Sequence, residues 1–431
     1  MGCAKNEVDS AHMSEKLRAA GYAIADDPEQ ADAIIVNTCS FIQAATEESI
    51  DAILEATQMD KGPDAKIPVI VAGCMPARYG EELEPEFPEV ASFVPCSKED
   101  DIVAIVDALF EHDPKSGSSR PEAGLPYSGN NGSALSGPSA YVKISDGCDR
   151  FCAYCTIPFI RGRYHSFPYE DIRAEVAMRI EQGGREIVLI AQDTGRWGSD
   201  FEQPSSLAQL VSRLAEEFPD TWFRLLYIQP EGVTDDLIEA CANHANVCNY
   251  FDIPFQHVVP SILKAMNRRG SRDDYLDLLE RILKRIPDAA LRTTLIAGFP
   301  GESDDDFEEL CDFVEDAPLD YIGVFAYSRE EGTRAFDYDG QIEEEEKAYR
   351  AQRIRDIADA ASSARIAERI GSEADVLVCG CEEDGQLFGR AMCQAPDVDG
   401  VTFVDGGAIG DIIHVRIVDT LMYEMEGELL K

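Results

Sequence analysis

Between residues 141 and 327 the chain switches six times between a short β-branched or aromatic run and a longer amphipathic stretch. Runs 141–144, 186–191, 222–228, 250–253, 291–297 and 321–327 read as strands. Stretches 169–182, 205–217, 235–243, 260–267, 272–285 and 304–316 read as helices. Parallel neighbours need a crossover of a dozen or more residues, and helices of this length supply it. Six units predict a partial (β/α)6 barrel, because a closed eight-stranded barrel needs more chain than this segment holds. Chemistry in such a barrel sits at the carboxyl ends of the strands. The polar residues there are Gln192, Asp193, Gln229, Gln256 and His257, with Gly298 in the turn GFPGE.

The loop after the first of these strands reads SDGCDRFCAYCTIPFIRG over 145–162. Its cysteines, Cys148, Cys152 and Cys155, stand in a C-x3-C-x2-C spacing. Three thiolates within eight residues can converge on one inorganic centre. A [4Fe–4S] cluster on three cysteines keeps one iron open for a small molecule. Structural zinc would take a fourth protein ligand, which spacing alone leaves open. Polar neighbours such as Asp149 and Arg150 speak against three plain core cysteines.

Upstream, 33–37 and 67–72 are continuous apolar runs of the kind buried on both faces of a parallel sheet. Helices are expected over 6–19, 41–59, 76–83 and 98–110, so residues 1–115 predict a small doubly wound α/β domain. Cys39 and Cys74 directly follow the two runs, and Cys3 precedes the first helix. Ligands in open α/β sheets bind beyond the carboxyl ends of the strands. The three cysteines therefore share one rim and predict a second cluster, with ordinary loop cysteines as the alternative.

Residues 116–139, rich in Ser, Gly and Pro, read as a linker between this domain and the barrel segment 140–341. A long charged helix spans 342–371, closed by Gly371. Residues 372–431 carry short β runs at 374–381, 386–395, 401–403, 412–418 and 421–425, which predict a small β-barrel. The chain is thus an α/β multidomain protein. It has no apolar run long enough to span a membrane and no apolar leader, and the cytoplasm is the expected location. Thirteen cysteines in a chain this size suggest thiols rather than a disulfide framework. Net charge is −44, with −16 in residues 1–118 and −10 in 372–431. Such a surface repels nucleic-acid backbones and attracts a basic partner. A proteome adapted to high salt would give the same balance.

The string 145–162 resembles the signature of the radical S-adenosylmethionine enzymes, and Gly147, Cys148, Asp149, Ile157–Pro158 and Arg161–Gly162 resemble its methylthiotransferase branch. The stretches GCAKNEVDS, NTCSFIQAATEESIDAI and AGCMPARYGEEL resemble the N-terminal domain of that branch, and 372–431 its TRAM domain. The resemblance implies two [4Fe–4S] clusters, one on Cys148, Cys152 and Cys155, the other on Cys3, Cys39 and Cys74. The first would cleave S-adenosyl-L-methionine to a 5′-deoxyadenosyl radical. The second would hold or supply sulfur from sulfide or polysulfide. Tyr154, Gln192, Gln256, Arg292 and Gly298 are implied cofactor neighbours. Flavodoxin or ferredoxin would donate electrons. The strings GCAKNEVDS, TCSFIQAATEESIDAI and GCDRFCAYCTIPFIRG look more like the branch that methylthiolates the β-carbon of an aspartate in small-subunit ribosomal protein twelve, which implies that protein, free or in the assembled subunit, as substrate. The alternative is methylthiolation of isopentenyladenosine in transfer RNA, which the acidic C-terminal segment disfavours. A monomer with weak or no direct RNA binding is expected. The family has a strand before its first cysteine that this chain, starting two residues before Cys3, lacks, and Phe167 replaces a common basic residue.

Overall fold

The computed structural model describes residues 2–25, 27–59, 66–111 and 135–430. The chain forms two compact units. One comprises Met1–Ala134 with Gly147–Asp149 and Cys155–Arg163; the other comprises Leu135–Asp146, Arg150–Tyr154 and Tyr164–Lys431. Most of the expected linker, 116–134, lies outside the described residues.

The first unit runs α1 (Ala4–Ala19), β1 (Ile34–Thr38), α2 (Gln43–Thr57), β2 (Val69–Gly73), α3 (Cys74–Tyr79), α4 (Leu83–Glu86), β3 (Val90–Pro95) and α5 (Ile102–Glu111), with α6 (Ile157–Ile160) added from the second insertion. Its strands form a parallel sheet in the order β1-β2-β3. The central strand shows why an all-apolar run was needed. Ile70 and Ala72 face one core with Met13, Leu17 and Val106, while Val69 and Val71 face the other with Ile53, Ala56 and Leu83. Strand β3 was not expected. Pro88 and Pro95 bracket it and Ser92 interrupts it, and as an edge strand it is only half-buried. The helix expected over 76–83 breaks at Gly80, whose φ of 56° a side chain would resist.

The second unit carries the six expected parallel strands: β5 (Ser139–Lys143), β8 (Glu186–Ile190), β9 (Trp222–Leu225), β10 (Tyr250–Asp252), β11 (Ala290–Ala297) and β12 (Tyr321–Ala326). Short β4 (Leu135–Ser136) extends the first group, giving β4-β5-β8-β9 beside β10-β11-β12, and β6 (Ser145–Asp146) pairs with β7 (His165–Ser166). Helices α7 (Tyr169–Glu181), α8 (Leu207–Glu217), α9 (Asp235–Asn243), α10 (Pro260–Ala265), α11 (Arg272–Arg285) and α12 (Asp304–Asp316) supply the crossovers. Four of them start on hydroxyl caps, Ser206, Thr234, Ser271 and Ser303, each worth about 1 kcal/mol.

Helix α13 (Glu344–Ala367) buries Ala351, Ile354 and Ala358 in the barrel's own core. Strands β13 (Glu373–Cys381), β14 (Leu387–Ala391), β15 (Thr402–Val404), β16 (Ile412–Leu421) and β17 (Glu424–Leu429) close a five-stranded barrel. The strand expected over 421–425 is broken by a turn at Met422, φ 52°, and Tyr423, after which β17 starts at Glu424. This small barrel meets the amino ends of the larger barrel's strands through buried charges. Arg390 of β14 bonds Glu186 at 2.7 Å, and Glu186 also takes Arg224 at 2.7 Å.

Candidate functional site

In the first unit each parallel strand ends on a cysteine: Cys39 after β1, Cys74 after β2 and Cys96 after β3. Cys3 is the N-cap residue of α1, and the site of a side chain on Gly2 lies 3.1 Å from Cys39 Cβ. Gly73, at φ 97°, turns the chain from β2 into α3; a Cβ there would sit 2.2 Å from Asn37 Oδ1. Ser49 Oγ receives the Cys39 amide and donates to its carbonyl, fixing that cysteine's backbone. Burial pushes the Cys39 thiol up to about 11, against a hydrogen bond from the Phe41 backbone, and Cys74 and Cys3 add to the push. Cys39 therefore lies within the fields of both Cys74 and Cys3. Cys96 was not singled out from the sequence. Its Sγ donates to Cys74 Sγ at 4.0 Å and brings the Cys74 thiol down to about 7, with Arg161 assisting against burial.

Arg161 arrives from the loop after α6. Its Nη2 donates to Asp9 Oδ2 at 2.7 Å and to Asn6 Oδ1 at 3.0 Å, and lies 3.8 Å from Cys74 Sγ. The Arg161 and Asp9 side chains are 2% and 3% exposed, so this is a buried ion pair. Arg163 differs: 80% exposed, it makes a surface pair with Asp149. Cys148 is buried, and its amide donates to the Gly162 carbonyl at 3.1 Å. Gly147 before it has φ 72°, and a Cβ there would stand 2.2 Å from the Arg163 carbonyl oxygen.

In the second unit Cys152 and Tyr154 sit on the segment 150–154. The Ala153 amide donates to the Met266 carbonyl, and the Ala335 amide to the Ala153 carbonyl. Cys152 accepts a hydrogen bond from the half-buried Arg268, which Tyr154 and Cys152 hold above its ordinary pKa against desolvation. At the carboxyl end of β8, Arg150 Nε pairs with Asp193 Oδ2 at 2.6 Å, while burial still raises the Asp193 carboxyl. Gln192 Nε2 donates to Asp146 at 3.0 Å. Gln192 Oε1 and Asp193 Oδ1 are buried without hydrogen-bond partners. Two unmet acceptors beside the expected cofactor edge fit a polar ligand.

Other expected residues are placed differently. Gln256, at φ 71°, joins the sheet through the Thr294 carbonyl instead of capping a helix. His257 is fully buried; Nδ1 accepts from the Val259 amide, and Nε2 lies 3.3 Å from Glu302 without a hydrogen-bond partner. Gly298, at φ 77°, gives its amide to Glu302, and a Cβ there would meet Lys347 Cγ at 2.4 Å. Arg292 lies near the amino end of β11, at the opposite end of that strand from Gly298. It pairs with Asp252 at 2.9 Å and faces Asp399 at 3.6 Å, lining a 530 Å³ cavity with Tyr321, Leu421 and Tyr423. Gln192 thus follows the carboxyl end of β8, and Arg292 lies near the amino end of β11. Among the described residues no three Cys, His, Asp or Glu side chains close on a single ion. Cys241 and Cys248 are buried in the second unit as neutral thiols, each pushed up to about 12 by burial.

The barrel and its cysteine loop define a radical S-adenosylmethionine protein, and residues 142–314 match the radical SAM superfamily. Residues 1–95 match the uncharacterized protein family UPF0004, and 370–430 match the TRAM domain. A radical S-adenosylmethionine methyltransferase from Kitasatospora setae shares the fold, with a TM-score of 0.58, 14% identity and coverage of 76% of this chain and 73% of that one. The particular family follows from curated relatives. Ribosomal protein uS12 methylthiotransferase RimO from Geobacter sulfurreducens is 41% identical over 444 residues, covering 100% of this chain and 97% of the relative. RimO of Trichlorobacter lovleyi is 40% identical with the same coverage, and that of Clostridioides difficile 39%. The chain belongs to the RimO family.

Proposed function

We infer that this protein is a radical S-adenosylmethionine methylthiotransferase that modifies ribosomal protein uS12 at the β-carbon of an aspartate. The carrying observation is the match to RimO relatives over 97% of their length, in a chain that keeps both cysteine trios. Cys148, Cys152 and Cys155 would hold the [4Fe–4S] cluster of the barrel loop, and Cys3, Cys39 and Cys74 a second. Bound S-adenosylmethionine with a reduced cluster supplies the radical chemistry that breaks an unactivated C–H bond, which no side chain achieves.

The residues present suit these groups. Cys39 already feels both Cys74 and Cys3, and Arg161 brings a cation to Cys74. Gln192 Oε1 and Asp193 Oδ1 offer acceptors to the ammonium or hydroxyl groups of the cofactor, and Tyr154 offers a ring for its adenine. The Gly147 turn sets the Cys148 amide on Gly162 and so fixes where that thiol starts. The Arg150–Asp193 pair anchors the loop to the end of β8. Sulfide or polysulfide as sulfur source, flavodoxin or ferredoxin as electron donor, and a cytoplasmic place beside the ribosome complete the reading. The acidic surface favours a basic protein substrate over transfer RNA.

The test is iron and acid-labile sulfide per chain after anaerobic reconstitution, with mass spectrometry of uS12 after turnover. About eight irons, falling to about four when Cys3, Cys39 and Cys74 are changed to Ala, are expected for two clusters. The uS12 aspartate should gain one methylthio group in place of hydrogen. Four irons in both proteins, or a methylthio group found only on transfer RNA, overturns the reading.

A further inference from the structure

The first unit's parallel sheet presents three cysteines at equivalent positions, one immediately after each strand. Two of them, Cys39 and Cys74, belong with Cys3 to the trio already discussed. The third, Cys96, is half-buried and stands with its sulfur 4.0 Å from Cys74 Sγ. We propose that Cys96 is a fourth, displaceable thiolate donor of the N-terminal iron–sulfur site, capping the iron that Cys3, Cys39 and Cys74 leave without a protein ligand. This rests on the reading that those three hold a cluster.

Three observations carry it. Ligands gather beyond the carboxyl ends of parallel strands, and β3 delivers Cys96 to the same rim as β1 and β2. The sulfur separation is small: turning one χ1 angle by a rotamer step moves a cysteine sulfur by about 3 Å, so Cys96 can approach or leave the side of Cys74 without backbone movement. Cys96 also follows Pro95 at the entrance to a 3-10 turn, where no regular helix fixes it, unlike Cys74 at the start of α3. A ligand meant to leave suits that position better than one meant to stay.

The function of such a cap is to close the fourth iron until sulfur arrives. When hydrosulfide takes its place, Cys96 departs as thiolate and takes a proton from water; no electron moves. The site would therefore stay shielded from adventitious ligands without losing its capacity to accept the co-substrate.

The test is alkylation by iodoacetamide of the full-length, anaerobically loaded protein, with peptide mapping. Cys96 should react at least tenfold more slowly in loaded than in cluster-free protein, and excess sodium sulfide should restore its reactivity. The exposed Cys381 should react equally in all samples. A Cys96→Ala variant should keep its full iron content, and cyanide should alter the paramagnetic resonance spectrum of its reduced N-terminal cluster at a concentration at least tenfold lower than in the unchanged protein. Equal alkylation of Cys96 with and without cluster overturns the cap. So does a Cys74–Cys96 disulfide peptide accompanied by loss of half the iron, which would make Cys96 a competitor for Cys74. Iron content that ignores the Cys3, Cys39 and Cys74 changes overturns the underlying reading instead, and the iron count separates the two failures.

Discussion

Replacing Arg161 with Met tests whether its ion pair with Asp9 organises the first unit. A surface pair is worth about 0–1 kcal/mol, because water competes for both ends. Here the side chains are 2% and 3% exposed and the oxygen lies 2.7 Å away. Removing one partner leaves the other buried and uncompensated, at a cost of about 3–5 kcal/mol. Arg161 also serves Asn6 Oδ1, whose amide group in turn holds the Thr38 carbonyl at the end of β1 at 2.8 Å. The loss should therefore reach α1 and the strand end beside Cys39. Tryptophan fluorescence would miss it, since Trp197 and Trp222 both belong to the second unit. Hydrogen exchange of peptides from α1 in the full-length chain reads it directly. Their opening free energy should fall by about 3 kcal/mol, roughly a hundredfold in protection. Combining Arg161→Met with Asp9→Leu should recover at least about 1 kcal/mol of that loss, because no lone charge then remains. A single substitution that costs less than about 1 kcal/mol, with no recovery in the double variant, refutes the argument.

Other outcomes follow from the same reasoning. Gly147→Ala should lower iron at the barrel cluster towards half of the total per chain, because its Cβ would meet the Arg163 carbonyl at 2.2 Å; unchanged iron would show that the turn can relax. Against burial, Arg224 and Arg390 hold the Glu186 carboxyl at about 2, below its ordinary value of 4.5. Its contribution, about 3 kcal/mol, is present above pH 4.5 and lost as pH falls towards 2, so Glu186→Gln should flatten the acid side of a melting-temperature profile. Burial raises Asp399 to about 6 against Arg292, so its contribution is full below about pH 4 and lost as pH rises through 6. Asp399→Asn should then melt higher than the unchanged protein at pH 8, and a lower melting point there would count against that account. If the charge of −44 steers a basic substrate, affinity for uS12 should drop severalfold between 50 and 500 mM salt, and a flat response would point to salt adaptation alone.

What the sequence disclosed tracks the strength of its periodicity. The six β/α units of the barrel stand out because each strand is buried on both faces and each helix has a long apolar stripe. Strand β3 did not, because an edge strand buries little and Pro95 closes it; with it went Cys96, although the pattern of a cysteine just after an apolar run had already marked Cys39 and Cys74. Arg161 was visible as a charged residue beside the cysteine loop, but its partner Asp9 lies 152 positions away, and no local pattern reports a contact of that range. Arg292 failed for the converse reason. Its neighbours RTTLIAGFPGE place it on a chemically important strand, yet a strand has two ends, and periodicity does not say which end a polar residue serves.

That distinction between ends organises the second unit. At the carboxyl ends, Gln192 Oε1 and Asp193 Oδ1 remain buried without partners, a standing cost of order 1–3 kcal/mol each that a bound polar group would remove. At the amino ends Glu186 pairs with Arg224 and Arg390, and Asp320 with Arg369, while Arg292 Nε and Asp399 Oδ1 are also buried without hydrogen-bond partners. Arg390 comes from the small C-terminal barrel, and the Tyr250 hydroxyl donates across to Asp399 at 2.7 Å. Buried pairs of this kind add little net stability over apolar packing, but mispairing them is expensive, so they fix one docking register. An acidic domain with three basic residues, one of them carried into this interface, has little left with which to grip a nucleic-acid backbone. Of the three basic residues in 372–431, Arg390 is spent on Glu186, and Arg416 pairs with Glu373 at 2.9 Å. The same charge distribution that locks the domain in place therefore argues for a protein, not an RNA, as the object it meets.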